Sequence, residues 1–257
     1  MDEVTYEVFS QDKYCQVVQG ESDVFVYTHD KDYFWNFFDC DTDYETKVER
    51  ISKISPLMAE AVNYGKGIRI LRQEKWETLC SFIISQNNNI PRIKKLIAAV
   101  SRACGSKVDV SGMEDHVANA HKDTEGHFYS FPTPESLVKL GISGLAELKT
   151  GFRAKYIFDA AQKVSSGELD LSKIESLDTK TAIEQLCSVK GIGPKVASCA
   201  LLFGFSKLDA FPIDVWIKKV MAKYFDEDFD PSTLGKFAGI PQQYVFYFER
   251  YLQSKGI

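Results

Sequence analysis

Leu186-Cys187-Ser188-Val189-Lys190-Gly191-Ile192-Gly193-Pro194-Lys195 is the stretch on which the fold turns. Upstream, Ala182, Ile183, Leu186 and Val189 recur at helical spacing, and Asp178 or Thr179 can cap that helix. Gly191 and Gly193 suit a tight reversal that a β-carbon would obstruct. Pro194 fits the first turn of a second helix, whose small, apolar face is Ala197, Ala200, Leu201 and Gly204. Residues 181–205 therefore read as helix, hairpin, helix. Amides pointing outward at the hairpin and helix start, aided by the helix dipole, suit an anion such as a DNA phosphate. An ordinary turn between two helices fits the same pattern, because G-x-G alone is weak.

Working outward, Lys195 lies one residue into the second helix, and Cys199 four residues on projects to the same face. A lysine becomes a nucleophile only when uncharged, and burial near other cations lowers its pKa by roughly 3–5 units. Asp214, within Phe211-Pro212-Ile213-Asp214-Val215, precedes the apolar run Val215, Ile217, Val220 and Met221. Its carboxylate would cap that helix and could also manage protons and positive charge beside an amine. A solvated lysine and a plain helix cap are the bland counterparts of this pair.

Three further blocks stand out. Ser81-Phe82-Ile83-Ile84-Ser85-Gln86-Asn87-Asn88-Asn89-Ile90-Pro91-Arg92-Ile93 joins a stripe at Trp76, Leu79, Cys80 and Ile83 to one at Ile93, Leu96, Ile97 and Val100. Asparagines tolerate such polar turns. Gly151-Phe152-Arg153-Ala154-Lys155-Tyr156 sets an aromatic beside an arginine, and Gly239-Ile240-Pro241-Gln242-Gln243-Tyr244-Val245-Phe246 opens an aromatic helix. Taken singly, the arginines read as solvated helix faces and the rings as core.

Together, in this order from about Ile70 onward, the four blocks resemble the 8-oxoguanine DNA glycosylase/AP lyase family of the helix-hairpin-helix base-excision glycosylases. The resemblance implies a mainly α, α+β overall, helix-hairpin-helix glycosylase fold. It matches Lys195 to the family's Schiff-base lysine and Asp214 to its catalytic aspartate. It places Cys199 behind the base pocket, Phe246 in a stack on the extruded base and Gln242 on that base's Watson–Crick edge. Asn87 would fill the gap left in the duplex, Phe152 would wedge beside it, and Arg92 and Arg153 would bind the orphaned cytosine. Lys190, Gly191 and Gly193 would contact DNA phosphates. Trp216 stands where many relatives carry histidine and is expected to pack on the DNA backbone or the Lys195 helix.

The implied function is excision of 8-oxoguanine opposite cytosine through a lysine Schiff base, followed by β-elimination. The partner is duplex DNA containing oxidised guanine, and the chain is expected to act as a monomer. Excision of another oxidised or ring-opened base, or noncatalytic binding of damaged DNA, are the alternatives. The family usually carries more chain ahead of the first strands here, including a Gly-Gln pair whose glycine carbonyl reads the lesion's N7 hydrogen. No Gly-Gln occurs in this sequence, so the chain is shortened or another group discriminates the lesion.

Bulk properties bound the rest. The 257 residues carry a formal net charge of −5, which by itself argues against DNA. Charge is uneven, however: residues 1–45 hold twelve acids and two lysines, leaving the remainder at +5. Lys66, Arg69, Arg72, Lys94, Lys95, Lys190 and Lys218 are candidate phosphate contacts. Six cysteines lack metal-type spacing, His116, His121 and His127 lack tight ligand spacing, and no four-cysteine cluster loop is present. No metal or cofactor is expected, apart from room for a monovalent cation at the hairpin. Scattered thiols and the lack of a leader or membrane-length apolar run point to the cytoplasm, at the nucleoid in a bacterium. Val4–Phe9, Tyr14–Gln19 and Val24–Thr28 are short, β-rich runs separated by polar turns and read as strands of a small antiparallel sheet, truncated if the chain is shortened. Residues 1–50 are expected as a β-rich subdomain and 51–257 as the helical domain, with loops near 105–109 and 121–134.

Overall fold

A computed structural model describes residues 4–21, 23–110, 127–213, 215–226 and 229–256. Asp214, His116 and His121 lie outside these residues, as do the side chains of Val215 and Trp216. The chain condenses into two compact units, each assembled from separate stretches. A linear division at residues 50 and 51 is thus not how the described residues group. Residues 73–171 join the N-terminal strands, and residues 38–72 join the C-terminal helices.

The first unit opens with β1 (Val4–Ser10), β2 (Lys13–Gln19) and β3 (Val24–Tyr27), an antiparallel sheet in that order. Its register pairs Tyr6 with Val17 and Val17 with Val26. Alternation decides which ring points inward. Phe9 and Tyr14 pack on Phe128 and Val108, whereas β3 is exposed along its length. Helix α1 (Lys31–Phe37) follows. Phe128 belongs to β5 (Phe128–Tyr129), which pairs with β4 (Lys107–Val108). This two-residue ladder corrects the expectation of plain loops there; it is too short for a periodic signal.

Four helices complete the unit: α4 (Lys75–Ser85), α5 (Ile90–Cys104), α6 (Pro134–Glu147) and α7 (Arg153–Ser165). The expected stripe on α4 is fully interior, with Trp76, Leu79, Cys80 and Ile83 all buried. Trp76 keeps its indole N–H satisfied on the Pro132 carbonyl at 2.9 Å. On α7, buried Ala154, Ala160 and Ala161 bring its backbone close to α4 and α6.

The second unit holds α2 (Tyr44–Ser52), α3 (Pro56–Tyr64), α8 (Leu171–Ser176), α9 (Thr179–Leu186), α10 (Pro194–Gly204), α11 (Val215–Tyr224) and α12 (Gly239–Lys255). Buried Asp39 anchors its start, accepting from Arg72 at 2.6 Å, Thr42 at 2.6 Å and Tyr44 at 2.8 Å. Arg69 donates to the Asp39 carbonyl at 2.6 Å. Arg69 and Arg72, expected among phosphate contacts, are therefore engaged inside the protein. Buried Glu249 on α12 ties that helix to α11 through the Tyr224 hydroxyl at 2.9 Å and Lys223 at 3.2 Å. No described helix is long and apolar enough to cross a membrane.

Candidate functional site

Residues 181–205 fold as helix, hairpin, helix. Of the two capping candidates for α9 it is Asp178 that acts, accepting from the Thr181 amide at 3.0 Å. Thr179 instead bonds Asp209 at 2.6 Å. Gly191 adopts φ +79°, and a β-carbon there would lie 2.3 Å from the Tyr156 ring. Both the left-handed backbone and the close approach demand glycine. Gly193 corrects the expectation. Its φ is −102°, and a β-carbon would meet nothing within 4 Å. What its lack of a side chain does is leave the start of α10 open, with no capping side chain on the first-turn amides.

The tip of the hairpin is held from α7. Asp159, a largely buried carboxylate on that helix, accepts the Lys190 backbone amide at 2.9 Å and sits 3.5 Å from the Lys190 ammonium. Burial pushes the Asp159 carboxyl up, but the Lys190 amide and the Lys163 and Lys190 ammoniums outweigh it and hold the carboxyl below its ordinary value. The Lys190 amide therefore does not point outward as the hairpin pattern suggests. Only its side chain, 75% exposed, reaches solvent. Tyr156 and Asp159 lie three residues apart on one face of α7. Nothing in the sequence singles either out, since a lone ring and a lone acid on a helix carry no periodicity.

Lys195 is exposed in the first turn of α10, and no described residue hydrogen-bonds or ion-pairs with its ammonium. The described residues do not bury this amine. Cys199, one turn further, is buried. On α12, Gln242 is buried and Phe246, one turn on and 40% exposed, shares its face. The Gln242 amide donates to the Pro212 carbonyl at 3.2 Å, and its carbonyl oxygen accepts from Gln243 Nε2 at 2.5 Å.

In the first unit, the three asparagines divide the turn between them. Asn87 takes φ +46°, Asn88 donates back to the Ile84 carbonyl at 3.0 Å, and Asn89 caps α5 by accepting the Arg92 amide at 3.0 Å. Arg153 holds this turn. It is 2% exposed and donates to the carbonyls of Gln86 at 3.0 Å, Asn87 at 2.9 Å and Thr150 at 3.4 Å. Burial, and then the charge of Arg92, lower its pKa. Its guanidinium, expected on a cytosine, is thus committed to backbone oxygens in the free protein. Arg92 and Asn87 are exposed, and Phe152 is 49% exposed under the Arg153 guanidinium at 4.5 Å. Among the described residues no cluster of histidine, cysteine and carboxylate side chains could hold a metal ion.

Comparisons with known proteins bear on the fold and the family. The model of the 8-oxoguanine DNA glycosylase N-terminal domain matches residues 2–79. That of the HhH-GPD superfamily base excision DNA repair proteins matches residues 80–233. The chain belongs to the HhH-GPD superfamily and, within it, to the 8-oxoguanine DNA glycosylase/AP lyase family. A solved structure of MBOgg1 in complex with a low affinity DNA ligand is 37% identical, with TM-score 0.84, over 97% of this chain and 86% of that one. The Clostridium acetobutylicum 8-oxoguanine glycosylase/lyase, solved with double-stranded DNA containing cytosine opposite 8-oxoG, is 34% identical with TM-score 0.82, over 98% and 86% of the two chains. The Arabidopsis thaliana N-glycosylase/DNA lyase OGG1 is 29% identical over 218 residues, 77% of this chain and 56% of that protein. The chain spans about half the length of the curated relatives it matches first.

Proposed function

We propose that the protein is a bifunctional DNA glycosylase and AP lyase that removes 8-oxoguanine paired with cytosine from duplex DNA. One observation carries the reading: the amine of Lys195, exposed and with no partner among the described residues, stands in the open first turn of α10, at the end of a hairpin built to approach a phosphate. The neutral amine bonds to C1′ of the damaged nucleotide as the C1′–base bond breaks, and the base, leaving with that bond's electron pair, takes up the proton that the lysine ammonium gave up. Opening of the sugar ring, with the proton passing to O4′, yields an iminium between Lys195 and C1′. Loss of a C2′ proton then expels the 3′ phosphate.

Because Lys195 is exposed in the free protein, DNA itself must supply the desolvation that frees its lone pair. Asp214 is assigned either removal of the lysine proton or stabilisation of the developing oxocarbenium charge. Cys199, Gln242 and Phe246 are assigned to the extruded base, Asn87, Arg92 and Phe152 to the orphaned cytosine and its gap, and Arg153 to that cytosine once it releases its carbonyls. Gly191, Gly193 and the Lys190 side chain are assigned to the phosphates.

No step needs a bound metal or cofactor. The carboxylate flanking the hairpin, Asp159, is already taken by Lys190 and Lys163, so a monovalent cation there would rest on backbone carbonyls alone. The six free thiols suit a monomer working on DNA in the reducing cytoplasm.

The test is borohydride trapping on an 8-oxoguanine:cytosine duplex, which reduces the iminium to a stable crosslink. Trapping that vanishes in Lys195→Gln is the expected result, and a crosslink persisting in that variant refutes the nucleophile. Binding without any crosslink would point to a noncatalytic damage-binding module. Equal trapping on ring-opened guanine would widen the substrate class.

A further inference from the structure

We infer that Tyr156 is a positioning residue: its ring, backed by the hairpin, holds the Phe152 wedge in the orientation in which it enters the duplex. The inference rests on the assignment of Phe152 to the gap beside the orphaned cytosine.

An exposed phenylalanine is a poor wedge unless something fixes its ring, because a freely turning side chain loses entropy when a complex freezes it. Phe152 is 49% exposed at the start of α7. Two groups lie against its ring. The Arg153 guanidinium is 4.5 Å from the ring centroid. The Tyr156 ring, four residues on and so on the same helix face, meets it at 5.7 Å and 69°. Crossed rings at this separation attract through their quadrupoles. Of the two supports, the guanidinium is the one assigned to the cytosine once DNA is bound. Tyr156 is the one that remains with the wedge.

The Tyr156 ring has a backing of its own. A β-carbon built on Gly191 would lie 2.3, 2.4 and 2.5 Å from Cδ2, Cε2 and Cγ of the ring. These are successive ring carbons with Cδ2 in the middle. A point beyond the ring's edge would be much farther from the outer two than from Cδ2, so near-equal distances put it over the ring face. The bare Gly191 backbone is therefore laid against that face. The hairpin tip is in turn tied to α7, where Asp159 accepts the Lys190 amide at 2.9 Å. Hairpin tip, tyrosine and wedge form one line of contacts along the start of α7. Both contacts of Tyr156 are made by its ring, and neither uses the hydroxyl.

A double-mutant cycle in the full chain tests this. It compares Phe152→Ala, Tyr156→Leu and the two combined, with Tyr156→Phe as the conservative variant. Each is read by single-turnover excision of 8-oxoguanine opposite cytosine. Each is also read by affinity for a duplex with a tetrahydrofuran abasic analogue opposite cytosine, which needs no chemistry. Tyr156→Leu is expected to weaken both about three- to tenfold, the worth of one aromatic pair. Tyr156→Phe should match wild type, and the combined variant should be no worse than Phe152→Ala alone. Tyr156→Met takes the place of Tyr156→Leu if the latter does not fold. A tyrosine that merely supports the hairpin would cost as much in the Phe152→Ala background as in wild type, and that result overturns the inference. So does a loss in Tyr156→Phe equal to that in Tyr156→Leu, which would give the role to the hydroxyl. Wild-type values for Phe152→Ala in both readouts overturn the wedge assignment and this inference with it. Lack of excision by the wild type, with the affinity cycle as expected, overturns the glycosylase reading and upholds the role of Tyr156.

Discussion

The ring of Tyr156 occupies the space that a side chain on Gly191 would need, with the ring carbon Cδ2 2.3 Å from the ideal β-carbon position. Gly193, two residues on, faces open space at an ordinary backbone angle. The two glycines of one motif should therefore fail differently. Gly191→Ala should lose at least about 2 kcal/mol, from the left-handed backbone and displacement of the ring. Gly193→Ala should keep its stability and instead weaken duplex binding, because the new methyl stands before the α10 amides. Urea denaturation alongside anisotropy titration separates them, and equal stability losses would contradict the geometry.

Arg153 and Arg92 also part company. Arg153 is buried and gives its guanidinium to carbonyls of the Asn87 turn, whereas Arg92 is exposed at the start of α5. Arg153→Ala should cost roughly 3 kcal/mol, since it empties a buried site and leaves the buried Thr150 carbonyl and the part-buried Gln86 and Asn87 carbonyls without their donor. Arg92→Ala should be nearly neutral in stability but should blunt discrimination between cytosine and the other bases opposite the lesion. Stability curves and opposite-base excision ratios for the two variants check this. An Arg153 variant as stable as wild type would mean that its carbonyl contacts hold nothing.

Why some of this is legible in the chain and some is not follows from periodicity. The strands announce themselves as short runs of β-branched and aromatic residues between polar turns, and α4 by apolar residues at helical spacing, Trp76, Leu79, Cys80 and Ile83, all of them buried. The hairpin, Lys195 and the asparagine turn are readable because glycine, proline and asparagine have narrow local uses. Asp159 with Lys190 is different, joining a helix side chain to a loop amide 31 residues away. Nothing local in the sequence marks such a pair. The same holds for Arg153, whose positive charge suggests solvent or DNA while its partners are backbone oxygens from residues 86 and 87. Gly193 misleads for the opposite reason, since a glycine that serves open space looks like one that serves a turn.

Asp159 places a negative charge beside the hairpin's exposed lysine, 3.5 Å from its ammonium. Asp159→Asn keeps an oxygen for the Lys190 amide and removes that charge. Non-specific duplex affinity should then rise, and the slope of log affinity against log salt should steepen by about one. Asp159→Ala removes the amide's acceptor too and should bind more weakly than Asp159→Asn. Stability supplies a second reading with a definite sign. The carboxyl is held below its ordinary value, so its contribution is present at neutral pH and is lost as pH falls through the folded pKa. Asp159→Asn should thus be less stable than wild type at pH 7 and converge with it in acid. Anisotropy over a salt series and melts at both pH values provide the measurements.

Glu77 on α4 should behave in the reverse sense. Burial first, and then the Glu74 carboxylate, raise its pKa from 4.5 to about 7, against the opposing pull of the Gln11 amide. The folded state therefore binds this proton more tightly than the unfolded chain. A raised carboxyl is a liability above its folded pKa and costs nothing below its unfolded one. The protein should gain stability from this group as pH falls from about 7 toward 4.5. A tenfold difference in proton affinity is worth about 1.4 kcal/mol, but Glu77 opens onto a cavity of about 240 Å³ lined also by Lys94 and Arg102. Water there dampens the penalty, so Glu77→Gln should stabilise the protein by roughly 1–3 kcal/mol at pH 8. The neutral amide keeps an oxygen for the Gln11 N–H, and at pH 4.5 variant and wild type should coincide. Chemical denaturation at the two pH values decides it, and a variant less stable than wild type at pH 8 would show that the carboxylate is held by groups that outweigh its burial.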